Sequence, residues 1–351
     1  MTSTLRQEAI LREVRRNGSV KVTDIAVHLG VSTMTVRRDI AALADRGAVT
    51  RVHGGAMLPR SRPERRTEAL ATHDRGRVLS IGMAVPSRGP YYRDVIDGAQ
   101  AAAQAVGARL TLGVSAYGDD VPQVASMLDS KVDGLLLTPS AESLRSAAGA
   151  AWIRELPVPV VIVERRPDPA AGLDHLDRVA SDHLRGTMQA LRHLTDLGHL
   201  HVGLLTCPTP TAPWLAQGFD LAEGVLPLTS AAPRVTDHRY GDVEAVDAFL
   251  DRMAEVGATA AVAHPDEQAA LLVERARRRG WVVPDDMAVV AYDDELAALA
   301  EIPLSAVAPA RHALGRTAVS RLVRRLREGG NHVVQESLLL PRLIVRASTA
   351  G

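Results

Sequence analysis

The chain of 351 residues contains a single cysteine, Cys207. No internal disulfide can form, and no cage of cysteine thiolates can hold a metal. Aromatic residues are also scarce, at 3% of the chain: two Phe, three Trp and five Tyr. With so few, their positions carry information. No uncharged apolar run reaches about 18 residues, so no membrane-spanning helix and no membrane partner are expected. The N-terminus lacks the apolar core of a signal peptide, from which a cytoplasmic location is expected.

Net charge is absent too, since 41 Lys+Arg face 41 Asp+Glu. The balance is uneven along the chain. Residues 1–77 hold 15 Lys+Arg against 8 Asp+Glu, and the remainder holds 26 against 33. A basic head on an acidic body suggests a polyanion-binding module carried by something else. The length allows two to three domains.

Enzyme signatures are missing. There is no phosphate-binding P-loop, no G-x-G-x-x-G after the first expected strand and no nucleophile elbow. His193, His199 and His201 lie close in sequence but span an expected helix-to-strand turn. No acidic or cysteine partner has metal-site spacing, so no metal and no cofactor are expected. Glu164 and the Asp293-Asp294 pair could mimic a carboxylate dyad, yet both sit in motifs that read as binding or capping.

What the chain does have is the stretch Ser32–Arg46, S-T-M-T-V-R-R-D-I-A-A-L-A-D-R. Ser32 is a good N-cap after the turn-forming Gly30-Val31. Val36, Ile40 and Leu43 recur at spacings of four and three, so they share one helix face. Thr33, Met34, Thr35, Arg37 and Arg38 fall on the others. An apolar back with a Thr/Arg front suits a DNA major groove: arginine can hold guanine or phosphate, and threonine can touch a thymine methyl. Asp39 is expected to cap or pair locally.

The neighbouring segments agree. Leu5, Ile10, Leu11 and Val14 mark a first helix, about Thr4 to Arg16, ended by Asn17-Gly18. Ser19–Val22 reads as a short strand and Thr23–Leu29 as a second helix. Ala48–Met57 alternates and meets Gly54-Gly55, as a β-hairpin wing would. The string V-S-T-M-T-V-R-R-D-I, then L-A-D-R-G-A-V-T-R-V-H-G-G-A, resembles the winged helix-turn-helix DNA-binding domain of DeoR-family bacterial transcription regulators. The resemblance implies DNA contacts at Ser32, Thr33, Thr35, Arg37 and Arg38, with Arg51 and His53 on the wing. Residues 58–76 are Pro-, Arg- and polar-rich and read as a linker.

From Val78 onward, short apolar runs alternate with amphipathic segments. Leu79–Val85, Leu110–Val114, Gly134–Leu137, Val158–Val163, Val202–Leu205, Ala260–Ala263 and Met287–Ala291 read as buried strands. Helices between or after them imply an α/β fold, with two doubly wound parallel sheets at this length. Leu144–Ile153 is expected as one helix.

The strings V-P-S-R-G-P-Y-Y-R-D-V-I-D-G-A, V-D-G-L-L-L-T-P, V-P-V-V-I-V-E-R-R and V-V-P-D-D-M-A-V-V-A-Y-D-D occur in that order. Together they resemble the sensor domain of LacI/GalR-type repressors, a periplasmic binding protein-like type I fold. The resemblance covers about residues 77–351. It implies two subdomains, about 77–198 with 304–329 and about 199–303 with 330–351. The chain would cross between them near Gly198, Ile302–Ser305 and Gly329–His332. A small effector would lie in the cleft against Tyr91, Tyr92, Trp214, Tyr240, His264 and Asp293.

Two departures stand out. Relatives usually carry an arginine three residues before Gly218-Phe219, where this chain has Leu215. The family's A-N-D segment is His264-Pro265-Asp266 here.

The function expected is that of a ligand-responsive transcriptional regulator, most naturally a repressor. It would act as a homodimer on double-stranded operator DNA, with a sugar or related metabolite as effector. A periplasmic-type solute-binding protein and an enzyme on a small sugar or nucleoside are the alternatives. The basic head argues against the first, and the missing catalytic motifs against the second.

Overall fold

The computed structural model describes residues 6–7, 9–11, 13–14, 19–45, 48–52, 54–57, 77–86, 89–115, 119–229 and 232–350. The chain divides into two compact units, Met1–Leu70 and Ala71–Gly351. No helix among the described residues is long and apolar enough to cross a membrane.

In the first unit, residues 6–7, 9–11 and 13–14 are helical and form α1. There follow β1 (Ser19–Lys21), α2 (Val22–Leu29), α3 (Thr33–Asp45), β2 (Thr50–Val52) and β3 (Gly55–Met57). The strands make an antiparallel sheet in the order β1-β3-β2. Gly30, at φ 62°, ends α2 in the left-handed region, which glycine adopts without steric cost. Gly55 lies against β1 so closely that a Cβ there would sit 2.1 Å from the Val20 carbonyl oxygen.

One core holds the unit together, built from Ile10, Val14, Val22, Ile25, Val36, Ile40, Leu43 and Val49 among others. The four-and-three spacing on α3 therefore buries as its periodicity predicts. Each such side chain contributes roughly 1.5–3 kcal/mol by leaving water. Asp39 faces inward, taking Arg6 Nε at 2.8 Å and Gln7 Nε2 at 3.2 Å, and so ties α1 to α3. His53 and the linker at 58–76 lie outside the described residues.

The second unit has two lobes. The sheet of lobe 1 has β4 (Ser80–Val85), β5 (Arg109–Val114), β6 (Gly134–Leu137), β7 (Val160–Val163), β8 (Asp177–Ser181) and β14 (Glu336–Leu339). Their order is β14-β8-β7-β6-β4-β5, all parallel. Around it pack α4 (Pro90–Ala105), α5 (Val121–Asp129), α6 (Ala141–Arg145), α7 (Ala147–Arg154) and α12 (Arg311–Glu328). The segment expected as one helix breaks into α6 and α7 at Ser146, whose hydroxyl accepts the Gly149 N–H at 3.0 Å. This is an N-cap formed inside an apolar pattern.

The sheet of lobe 2 has β9 (Val202–Thr206), β10 (Arg234–Val235), β11 (Ala260–His264), β12 (Ala288–Tyr292), β13 (Ser305–Ala308) and β15 (Arg342–Ile344). The order is β10-β9-β11-β12-β13-β15, with only the last pair antiparallel. Its helices are α8 (His183–Asp196), α9 (Ala212–Glu223), α10 (Val243–Val256) and α11 (Asp266–Arg278). Strands covered on both faces must be apolar throughout, and β6, β7, β9, β11 and β12 are buried at every position.

The crossings between lobes differ from those expected. β8 ends in lobe 1 at Ser181, and α8 already belongs to lobe 2, where Ala190, Leu191 and Leu194 pack with Leu215 and Phe219. The first crossing is therefore at 182–183, not near Gly198. The second lies at 309–310, between β13 and α12, rather than at Ile302–Ser305. The third lies at 340–341, between β14 and β15, rather than at Gly329–His332. Each displacement has one cause. β8, β13 and β14 are short strands with polar or small residues, and without them the switch between sheets falls one element away.

Candidate DNA-reading face and ligand cleft

On α3 the side chains of Thr33, Met34, Arg37 and Arg38 are exposed. Arg51 is exposed on β2. Ser32 and Thr35 are otherwise engaged. Ser32 Oγ accepts the Thr35 N–H at 3.2 Å and lies 2.9 Å from Thr35 Oγ1. The expected N-cap is present.

A cleft of about 1100 Å³ opens between the lobes. Lobe 1 lines it with Glu164, Arg165, Arg166 and Ser181, and lobe 2 with His183, Thr209, Thr211, Trp214 and Gln217. Ligands of open α/β folds sit at the carboxyl ends of strands, and those ends carry the unusual backbone here. Glu164 follows β7 at φ 55°, and Asp293 and Asp294 follow β12 at φ 98° and 55°. Non-glycine residues persist in that region only where their surroundings hold them.

A polar centre joins the lobes beneath the cleft. Glu164 Oε2 accepts the Ser181 N–H at 3.0 Å. Its Oε1 accepts from the Tyr91 hydroxyl and lies 3.2 Å from His183 Nε2. Burial alone would raise the Glu164 pKa. The hydrogen bond and charge of His183, with the donors Tyr91 and Ser181, outweigh it and hold the carboxyl below its ordinary value. Burial and the adjacent Glu164 charge push the Tyr91 hydroxyl well up, so it stays a donor.

His183 continues the chain, with Nδ1 3.4 Å from Tyr292 Oη, while Tyr292 Oη donates to the His183 carbonyl at 3.0 Å. His264 packs edge-on to Tyr292 and sets Nε2 3.2 Å from Asp293 Oδ2. Arg311, at the second crossing, reaches Asp94 at 3.0 Å in lobe 1 and the carbonyls of Asp293 and Asp294 in lobe 2.

Buried polar atoms are normally paired. Ser181 Oγ, Thr206 Oγ1, His264 Nδ1 and Asp293 Oδ1 have no hydrogen-bond partner among the described residues. All four sit at carboxyl ends of strands, drawn from both lobes. Of the four, Ser181 lines the cleft, as does Trp214.

The comparisons with known proteins fit this geometry. The DeoR-like helix-turn-helix domain matches residues 6–62, and the periplasmic binding protein-like domain matches residues 191–349. An HTH-type transcriptional regulator in the aml 5' region of Streptomyces limosus is 36% identical over 179 residues, covering 49% of this chain and 50% of that protein. The HTH-type transcriptional repressor CytR of Escherichia coli (strain K12) is 26% identical over 361 residues, covering 97% and 99%. The chain thus spans half the length of the first relative and nearly all of the second. A LacI family transcriptional regulator from Enterococcus faecium, solved with bound ribose, shares the fold. Its TM-score is 0.63 at 22% identity, covering 77% of this chain and 98% of that one.

The chain is a DNA-binding transcriptional regulator. It joins a DeoR-like helix-turn-helix head to a periplasmic-binding-protein-like sensor.

Of the ligand contacts expected in this regulator, Tyr91, His264 and Asp293 enter the polar centre and Trp214 lines the cleft. Tyr92 is buried and pairs with Arg165. Tyr240 is 59% exposed beside Glu267 and does not line the cleft. Leu215, at the position of the missing arginine, is fully buried in the core of lobe 2 and is absent from the cleft wall.

His183, Tyr292 and Arg311 were not legible as site residues, because each looks like an ordinary helix start, strand end or surface arginine. Glu164 was legible by type alone. The three clustered histidines go separate ways: His193 bonds Thr349, His199 bonds Thr259 and His201 bonds Thr229, each at 2.8 Å.

Proposed function

We propose that the regulator is an effector-controlled repressor, acting in the cytoplasm as a homodimer on double-stranded operator DNA. Its effector is a sugar or related polyhydroxylated metabolite held between the lobes. Arg37 and Arg38 are its principal DNA contacts, with Thr33, Arg51 and His53 as further contacts. Ser32 and Thr35 serve the helix cap. Two heads would read half-sites about one helical turn, or a multiple of it, apart.

The observation that carries the effector reading is the Glu164–His183 pair, 3.2 Å apart, which joins lobe 1 to lobe 2 at the cleft wall. A ligand bonding to either group competes with or extends that junction, and so favours one lobe arrangement over the other. Each 1.4 kcal/mol of differential affinity shifts the equilibrium about tenfold. The bound ribose of the E. faecium structure supports the choice of ligand class.

The test is thermal unfolding of the full chain against sugars, sugar acids, polyols and nucleosides, followed by DNA binding with and without any hit. A ligand at 100 times its Kd adds about 2.7 kcal/mol to sensor stability. A hit that also changes DNA affinity is the expected result. A blank across the panel, or a hit that leaves DNA affinity unchanged, overturns the effector-controlled reading.

A further inference from the structure

We infer that Met34 reads a thymine C5-methyl group from between the two arginines of the base-reading surface. The inference rests on the DNA-binding reading of α3 and goes beyond it by assigning a base contact to a residue without a hydrogen-bonding side-chain donor. Val36, Ile40 and Leu43 fix the direction of the core, since all three are buried. At 3.6 residues per turn, Met34 points about 150° away from their mean direction. Arg37 and Arg38, three and four residues on, flank it at about 60° and 40° on either side. Met34 therefore stands on the front between the two arginines, with Arg38 nearest its middle.

Its surroundings sharpen the assignment. The side chain is 64% exposed, although it is large and apolar. The neighbouring hydroxyls of Ser32 and Thr35 are bonded to each other at 2.9 Å, and Ser32 Oγ also accepts the Thr35 N–H. Met34 is the second residue of α3, and recognition helices touch base edges with their N-terminal residues. A thioether donates no hydrogen bond. What it can recognise in a major groove is an apolar group, and among the bases only thymine presents one there. An unbranched, polarizable side chain fits such a contact without demanding one geometry.

The full chain is used to enrich its preferred duplex from a randomised library. Each thymine in that duplex is then replaced by deoxyuridine, which removes only the methyl. The parent is expected to lose about fourfold in affinity at one thymine per half-site, the value of one buried methyl-sized group. Met34→Ala is expected to lose that sensitivity, and Met34→Leu to keep it. Retention of the full deoxyuridine penalty by Met34→Ala overturns the inference, as does a parent indifferent to every replacement. A parent that enriches no sequence overturns the DNA-binding reading itself, and this inference with it. The exposure of Met34 makes misfolding of the variants an unimportant outcome, and their melting curves report it directly.

Discussion

The guanidinium carbon of Arg166 lies 4.1 Å from the centroid of the Trp214 ring. Arg166 follows β7 in lobe 1 and Trp214 lies on α9 in lobe 2, so the stack closes one side of the cleft. Arg166 Nε also donates to Glu336 Oε1 at 3.0 Å, which fixes the guanidinium over the ring. A cation held on a tryptophan face is worth about 0.5–2 kcal/mol. Arg166→Ala is expected to destabilise the sensor by about 1 kcal/mol and to lower its Tm by about 2 °C. Trp214 should become more solvated, with its emission moving to longer wavelength relative to a Trp214→Phe control. Unchanged melting and emission would show that the stack does not persist in solution.

Glu295 sets a second expectation, for pH. Burial raises its pKa first, and the Asp293, Glu267 and Asp266 charges add to that against Arg311, so the group reaches about 7. A carboxyl raised on folding weakens the folded state wherever the unfolded chain would ionise it. The penalty is absent below the ordinary value of 4.5, grows as pH rises, and is complete above about 7. Glu295→Gln should therefore match the parent at pH 4 and melt at higher temperature at pH 8. The two curves are expected to separate between those limits. A difference independent of pH, or a glutamine variant less stable at pH 8, would contradict this account of the residue.

How much of this was legible in the sequence depends on what each residue has to satisfy. Val36, Ile40 and Leu43 were legible because their periodicity is local and their burial follows from it. The strands β6, β7, β11 and β12 were legible because a parallel strand covered on both faces must be apolar throughout. β8 was not, since Asp177 and Arg178 interrupt its pattern. The partners that make them tolerable come from far away: Asp177 takes Arg325 at 2.9 Å and His332 at 2.8 Å. The polar centre was half legible for the same reason. Tyr91 and Asp293 stand in recognisable motifs, whereas His183 and Arg311 acquire meaning only where the chain crosses between lobes.

The packing of α4 on α12 gives a third expectation. A Cβ on Gly98 would lie 2.0 Å from the His312 carbonyl oxygen, and one on Gly315 would lie 1.9 Å from that of Val95. Two glycines on facing helices let the backbones meet, and no rotamer change can relieve a clash with backbone. Gly98→Ala and Gly315→Ala are each expected to push the helices apart and cost about 1–3 kcal/mol. The two positions share one packing seam, so the double variant should cost less than the sum of the two. Additive losses in chemical denaturation would show that the two glycines act independently.

The last expectation separates the roles of the two arginines at the head. Arg37 and Arg38 are both exposed on α3, so replacing them should leave the melting of the sensor unchanged. Replacing both by Ala is expected to abolish sequence-specific binding. The single variants should then differ in kind. An arginine that holds a phosphate strengthens binding to all sequences alike, so its removal weakens them alike and reduces the salt slope by about one. An arginine that reads a base leaves the slope nearly unchanged when removed, and preference at one position of the site relaxes by about tenfold or more. Titrating each variant at several salt concentrations, against the preferred duplex and a scrambled one, distinguishes the two patterns. Specific affinity that survives the double replacement would remove α3 from the base-reading surface, and the wing that carries Arg51 would then be the element to examine.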